Sequence, residues 1–116
     1  MHGGTEWIVD ARGCAPAQLR DPAALTSLCD GVVAALGLTV IGAPQVHHFG
    51  GPGGVTALYL LAESHLACHT FPETGIATFN LYVCRPRPAP AWAALLTAAL
   101  GAATVDVTTL ARGGAA

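Results

Sequence analysis

The sequence contains no lysine in its 116 residues. A chain without an amine side chain cannot anchor pyridoxal phosphate as a Schiff base. It also cannot place a lysine against a nucleotide phosphate, as a P-loop does. Any electron sink in this protein must therefore come from another group.

Charged residues are also scarce, at 10% of the chain. Five basic residues stand against seven acidic ones, which gives a net charge of −2 and no basic face to neutralise phosphates. We therefore expect no nucleic-acid partner. Apolar residues make up 53% of the chain, so a charge-poor surface predicts that some apolar area is buried against another subunit.

Signals for export or membrane insertion are missing as well. Met1 to Gly4 carry no positively charged stretch, and the longest apolar run, 89–103, is too short and too rich in small residues to span a bilayer. The four cysteines form no C-x-x-C pair, which is typical of a reduced protein. We expect a cytoplasmic protein without membrane contact, built as a single domain over 1–116.

The apolar pattern predicts an α+β two-layer sandwich, an antiparallel sheet with two helices on one face. Asp21-Pro22 is a helix start and Gly37 a stop, while Trp92 opens a second apolar repeat that ends before Gly101. The predicted elements are strands at 5–11, 55–62, 76–84 and 104–110, an interrupted strand within 38–49, and helices at 22–36 and 92–100.

Residues with chemical capacity are concentrated in one segment. They are Glu63, Ser64, His65, Cys68, His69 and Glu73, with Cys84 one strand later. His65 and His69 are expected to share a face only in a helix, which the following Thr-Phe-Pro disfavours, and His47 and His48 on a strand point to opposite faces. We therefore predict no metal site, while a Cys84–His69 nucleophile pair stays open.

The order of these residues is more informative than their types. The segment 61–75, L-A-E-S-H-L-A-C-H-T-F-P-E-T-G, strongly resembles the processing segment of the prokaryotic S-adenosylmethionine decarboxylases. That segment typically reads E-S-H, three residues, then H-T-W-P-E. The resemblance extends from Trp7 to Gly113 and includes the glycine-rich turn before Thr56 and the strand that ends at Cys84.

The resemblance implies that the protein makes its own cofactor from its backbone. The Ser64 hydroxyl attacks the Glu63 carbonyl, the amide becomes an ester, and elimination followed by hydrolysis leaves a pyruvoyl group in place of Ser64. The products are a β chain, 1–63, and an α chain, 64–116. A carbonyl made in this way is the electron sink that decarboxylation of an α-amino acid needs in a chain without lysine.

Catalytic roles are implied for three further positions. His69 matches the histidine that transfers protons during self-cleavage, and Thr56 stands where many members carry a serine that supports processing. Cys84 matches the cysteine that protonates the α-carbon after carbon dioxide leaves. A thiol suits this role because it is largely protonated at about pH 7.

Substrate contacts are implied for Phe49, Phe71 and Glu73. Aromatic rings near the substrate stack on adenine and meet the sulfonium cation, and the acidic residue after the proline contacts the substrate or braces the site. The implied substrate is S-adenosylmethionine, and the implied assembly is a homodimer of cleaved protomers. The product is the aminopropyl donor for spermidine synthesis.

The chain departs from the family pattern near the substrate. Phe71 replaces a tryptophan, Thr56 replaces a serine, and Arg85 follows Cys84 where glycine is common. A smaller ring at position 71 weakens stacking on adenine, so L-ornithine or L-arginine stays open as the substrate. A distal cation on such a substrate needs a carboxylate, for which the candidates are Glu6, Asp10 and Glu73.

Two hypotheses from other classes remain. A non-catalytic homologue that serves as a binding subunit has no need to keep Ser64, His69 and Cys84 together. A small Cys/His metal-binding module predicts stoichiometric zinc and an uncut chain. We therefore favour the self-processing decarboxylase.

Overall fold

One layer of the protein is a six-stranded antiparallel sheet, seen in a computed structural model that describes residues 3–114. The strands lie side by side in the order β2-β3-β4-β5-β1-β6. They are β1 (Thr5–Arg12), β2 (Gln45–His48), β3 (Val55–Leu61), β4 (Ser64–Phe71), β5 (Ile76–Val83) and β6 (Thr104–Ala111). The four strands predicted as continuous elements are confirmed to within one residue at each end.

Helices form the second layer. In α2 (Pro22–Ala35) the Asp21 carboxylate accepts the backbone N–H of Ala23 at 3.0 Å, which caps the free amides of the first turn. In α3 (Trp92–Leu100) the chain leaves the helix through Gly101 at φ 69°, a left-handed conformation that glycine adopts readily. The predicted two-layer α+β fold is confirmed, with two additions that were not among the predicted elements, the four-residue helix α1 (Pro16–Leu19) and the central strand β4 (Ser64–Phe71).

The core lies between the helices and one face of the sheet. Along β5 the buried and half-buried positions alternate strictly, because successive strand side chains point to opposite faces. Tyr59, Leu66 and Leu81 of the central strands are almost fully buried, as are Leu25 of α2 and Leu96 of α3. This face holds both products of the expected cleavage together through one shared core.

The opposite surface of the sheet, the open face, is not covered by the helices. It carries Glu6, Ile8, Thr56, Leu58, Leu60, His65, His69, Phe71, Asn80 and Tyr82. Apolar side chains remain exposed there, with 46% of Leu58 and 63% of Leu60 accessible. An exposed apolar strip on a sheet face is typical of a surface that meets another protein.

The interrupted strand predicted within 38–49 is also confirmed. Val40 forms an isolated bridge to Leu61, the chain then turns at Gly42 with φ 72°, and β2 resumes pairing with β3 at Gln45. Within residues 3–114 no helix has both the length and the apolar character to cross a membrane. The cytoplasmic location stays a prediction, and Met1 and His2, on which it partly rests, lie outside the described residues.

A polar network links three strands on the open face. The Asn80 amide donates to the Glu6 carboxylate at 2.6 Å, His65 Nε2 donates to Asn80 Oδ1 at 2.9 Å, and Arg112 forms an ion pair with Glu6. The Asn80 amide and then the Arg112 guanidinium lower the pKa of Glu6 from its usual 4.5. The ionised carboxylate is therefore the form that the fold favours.

Replacing Glu6 by Gln should destabilise the fold at neutral pH and have less effect in acid. Because the folded-state pKa of Glu6 is lowered, the stabilisation is fully present above its unfolded value of 4.5 and is lost as pH falls through the folded value. Urea unfolding of a Ser64→Ala chain with and without Glu6→Gln, at about pH 7 and about pH 3, measures the difference.

The matched control is Glu73→Gln. Glu73 is exposed and forms no ion pair among residues 3–114. It should give no pH-dependent loss of stability. A Glu6→Gln effect of equal size at both pH values would mean that the charge of Glu6 does not stabilise this network.

Candidate active site

The predicted cleavage bond lies in the tight turn between β3 and β4. Leu61 pairs with Ser64, so the turn contains only Ala62 and Glu63. Glu63 has φ 60° and is the only non-glycine residue with positive φ among residues 3–114. A turn residue with positive φ favours glycine, because a side chain in the left-handed region meets the backbone. The peptide bond expected to be cut therefore follows a strained residue.

Ser64 and Cys84 lie beside each other at the same end of the sheet. Ser64 begins β4 and pairs with Val83, the last residue of β5, so the next residue, Cys84, comes to the same edge. Both side chains are half-buried, and both line a cavity of about 150 Å³ together with Glu63. The pairing of β4 with β5 thus joins two predicted catalytic residues that are 20 positions apart in sequence.

Arg85 binds the Glu63 side chain across this cavity. Its Nε donates to Glu63 Oε2 at 2.8 Å, and a terminal nitrogen donates to Oε1 at 3.3 Å. The hydrogen bonds and the charge of Glu63 raise the pKa of Arg85, which therefore stays protonated. We refer to Glu63, Ser64, Cys84 and Arg85 as the cleavage cluster.

A second group of predicted residues gathers at the other end of β4. Thr56 of β3 faces His69 of β4, and Thr56 Oγ1 shares a hydrogen bond with His69 Nδ1 at 3.0 Å. A cavity of about 440 Å³ lies against this pair and is also lined by Phe49, Phe71 and Glu73. These five residues, the histidine cluster, include two exposed aromatic side chains, Phe49 at 63% and Phe71 at 41%. An aromatic cavity with a hydrogen-bonded imidazole suits a flat ring or an organic cation.

The two clusters do not meet within one chain. Ser64 and His69 are five residues apart on β4, a separation of about 17 Å at the rise of an antiparallel strand. The predicted site residues are therefore brought together as two half-sites, three at one end of β4, where Arg85 joins them, and five at the other.

One geometric expectation from the sequence is wrong. His65 and His69 do share a face although the segment is a strand, because strand side chains repeat their direction every second residue. Their backbones are about 14 Å apart, too far to bind one metal ion. Within residues 3–114 no three His, Cys, Asp or Glu side chains are grouped as metal ligands.

Two contributors to the site were missed from the sequence. Arg85 was recognised only as a departure from the family pattern, and His47, whose ring meets the Phe49 ring edge-on at 4.5 Å, was assigned no role. The pairing of β4 with β5 could have suggested that residue 85 approaches the turn at residue 63. No local pattern could have identified the bidentate contact itself.

The architecture is that of a solved decarboxylase. The crystal structure of the adenosylmethionine decarboxylase from Aquifex aeolicus VF5 superposes on the chain with a TM-score of 0.83 at 27% identity. The match covers 99% of this chain and 94% of the other. The fold is therefore that of a small decarboxylase.

Sequence comparison gives the same family. A family model described as S-adenosylmethionine decarboxylase matches residues 5–113. The S-adenosylmethionine decarboxylase proenzyme of Symbiobacterium thermophilum is 38% identical over 97% of this chain and 85% of its own length. That of Prochlorococcus marinus strain MIT 9313 is 37% identical over 85% and 78%. The chain belongs to the S-adenosylmethionine decarboxylase family, which confirms the resemblance seen in its sequence.

Strain at Glu63 can be measured directly in a Ser64→Ala chain, which keeps the turn intact. Glu63→Gly and Glu63→Ala both remove the contact with Arg85, but only glycine relieves the left-handed backbone. The glycine variant should be more stable than the alanine variant by about 1 kcal/mol in urea unfolding.

Ala62 is the internal control, because it lies in the same turn without a positive φ. There, glycine should be less stable than the native alanine. If glycine also destabilises position 63 relative to alanine, the turn holds no strain.

Proposed function

We propose that the chain is a self-processing, pyruvoyl-dependent decarboxylase of S-adenosylmethionine, acting in spermidine biosynthesis. The observation that carries the proposal is the Glu63–Ser64 bond in its strained turn, beside the Cys84 thiol in one cavity. Membership of the family and the proenzyme names of the relatives support it.

Self-cleavage begins at the Ser64 hydroxyl. Its oxygen bonds to the Glu63 carbonyl carbon as the amide C–N bond breaks, which gives an ester and a free amine on Ser64. Removal of the Ser64 α-proton expels the Glu63 carboxylate and leaves dehydroalanine at the new N-terminus. Water then replaces the nitrogen, ammonia leaves, and a pyruvoyl group remains. The products are chains of 63 and 53 residues, numbered 1–63 and 64–116.

The residues around Ser64 fit such a group. The cavity there has about 150 Å³ of free space at the new N-terminus, and its lining includes the Cys84 thiol. A pyruvoyl carbonyl supplies the electron sink for the bond between the α-carbon and the carboxylate of the substrate. Cys84 holds the proton that the α-carbon takes up after carbon dioxide leaves.

The histidine cluster supplies the remaining functions. The Thr56 hydroxyl orients the His69 imidazole, which transfers protons during self-cleavage. Phe49 and Phe71 are placed to stack on adenine and to face the sulfonium cation, and Glu73 stands at the edge of the same cavity. Since this cluster is about 17 Å from Ser64 along β4, one chain cannot complete the site.

A homodimer packed through the open face resolves this separation. Two clusters at opposite ends of β4 exchange places across a two-fold axis, so the cleavage cluster of one protomer faces the histidine cluster of its partner. The exposed Leu58 and Leu60 lie on the open face, between the two ends of β4 in register, and are covered in such a dimer. The dimer then has two identical sites, each completed by both chains.

The first test is the intact mass of the purified protein under denaturing conditions. We expect two chains divided between Glu63 and Ser64, with the C-terminal chain lacking the nitrogen of Ser64. Ser64→Ala should remain one chain of 116 residues, and Ser27→Ala, an exposed serine on α2, should be cut normally.

Substrate choice is read from the same preparation. Carbon dioxide release should occur with S-adenosylmethionine and not with L-ornithine or L-arginine. Release from either amino acid alone would overturn the substrate and leave the self-processing intact. A wild-type chain that stays uncut after long incubation would overturn the proposal as a whole.

Complementation between two inactive variants tests the shared site. Ser64→Ala and His69→Ala chains should each remain uncut alone, because each lacks one member of every site. In mixed dimers one site combines the intact Ser64 of one protomer with the intact His69 of the other. The His69→Ala chain should therefore be cut in the mixture, whereas a site complete within one chain predicts no cleavage.

A further inference from the structure

The contact between Arg85 and Glu63 is a bidentate ion pair with a defined orientation. The Nε and a terminal nitrogen of one guanidinium each meet a different oxygen of the same carboxylate, at 2.8 and 3.3 Å. A planar fork on a carboxylate fixes orientation as well as distance, which an ammonium group cannot do. Glu63 is therefore held from its side chain as well as by the turn.

This ion pair contributes too little to the stability of the fold for stabilisation to explain its presence. Both side chains are about half exposed, at 57% for Arg85 and 48% for Glu63. Ion pairs this exposed contribute little to stability. The residue that is held, however, is the one with the left-handed backbone, in the position directly before the bond expected to be cut.

We propose that Arg85 is a positioning residue for self-cleavage, one that keeps Glu63 in its left-handed conformation until the bond is cut. The proposal rests on the self-processing proposed above. The backbone angles of Glu63 set the direction of its carbonyl, the group that Ser64 Oγ must reach. Arg85 contacts neither reacting atom and acts through the Glu63 side chain alone.

The expected effect is on the population of the reactive turn. Without the Arg85 contact, only the two-residue turn holds Glu63 in the left-handed region, so a larger fraction of chains relaxes to ordinary backbone angles. A chain whose turn has relaxed cannot start cleavage. The observed cleavage rate is therefore proportional to the fraction of chains in which Glu63 keeps its left-handed conformation. The Arg85–Glu63 contact acts only once in each chain, before the Glu63–Ser64 bond is cut.

A variant of Arg87 distinguishes positioning of Glu63 from a general effect of positive charge near the cleavage bond. It lines the same cavity, but its hydrogen bond goes to the Pro86 carbonyl, at 3.3 Å, and it makes no ion pair with Glu63. If positive charge near the carbonyl were what mattered, Arg87→Gln would slow cleavage as much as Arg85→Gln. If the fork matters, Arg85→Lys should resemble Arg85→Gln.

The experiment is a time course of cleavage in full-length chains made by cell-free synthesis, followed by intact mass. Arg85→Gln and Glu63→Gln should each slow first-order cleavage by about threefold to fivefold. The double variant should be no slower than either single variant, because both remove the same contact. Arg20→Gln, an exposed arginine without an ion pair in the described chain, should match the wild type.

Two further readouts distinguish positioning from a general structural role. High salt should slow the wild type toward the Arg85→Gln rate and leave that variant unchanged, because salt screens an exposed pair. In Ser64→Ala chains the thermal midpoint should barely move with Arg85→Gln.

Three results overturn the proposal. They are wild-type rates in Arg85→Gln, an equal loss in Arg87→Gln, and additive losses in the double variant. In all three the wild-type chain is still cut, so the proposed self-processing stands. An uncut wild-type chain is the separate outcome that removes both.

Discussion

The pairing of β4 with its two neighbours is the constraint on which the rest of the structure depends. On one side, Thr56 of β3 faces His69, and on the other, Val83 of β5 faces Ser64. A shift of either pairing by one residue would turn every side chain of β4 to the opposite face of the sheet. The register therefore determines the core, the contents of both clusters and the distance between them.

The two faces of the sheet have different tasks. Leu66 and Cys68 of β4 point to the helices and are fully buried, while His65 and His69 of the same strand point to the open face. The apolar side chains of such a strand stabilise the core. Its polar side chains, on the other face, remain available to a substrate or a partner protein. This division explains how a chain of 116 residues can contain both a core and a reactive surface.

Much of this fold could be predicted because its signals are local. Asp21-Pro22 at a helix start, Gly101 at a helix end and the alternation of β5 each depend on a few neighbouring residues. The helix α1 could not be predicted, since four residues are too few to show a helical period.

The candidate site could be predicted by residue type but not by arrangement. The motif around Ser64 indicates the proposed chemistry, but the separation of Ser64 from His69 follows only from β4, a strand that was not predicted from the sequence. The ion pair between Arg85 and Glu63 could not be predicted in this way, because it joins residues 22 positions apart, one in a turn and one after a strand end. No short-range pattern encodes such a contact, so it becomes visible only in the folded chain.

With the cleavage proposed above, the strand order would make the stability of the protein depend on its concentration. Residues 1–63 hold β1, β2 and β3, residues 64–116 hold β4, β5 and β6, and the two sets interleave, so three of the five strand pairings join different products. Before cleavage, unfolding is a property of one molecule. After the proposed cleavage, unfolding would also be a dissociation of two chains, and dilution would favour the unfolded state by mass action. Neither product can form the complete sheet by itself. A cleaved protomer that unfolds can therefore refold only when its two chains associate again.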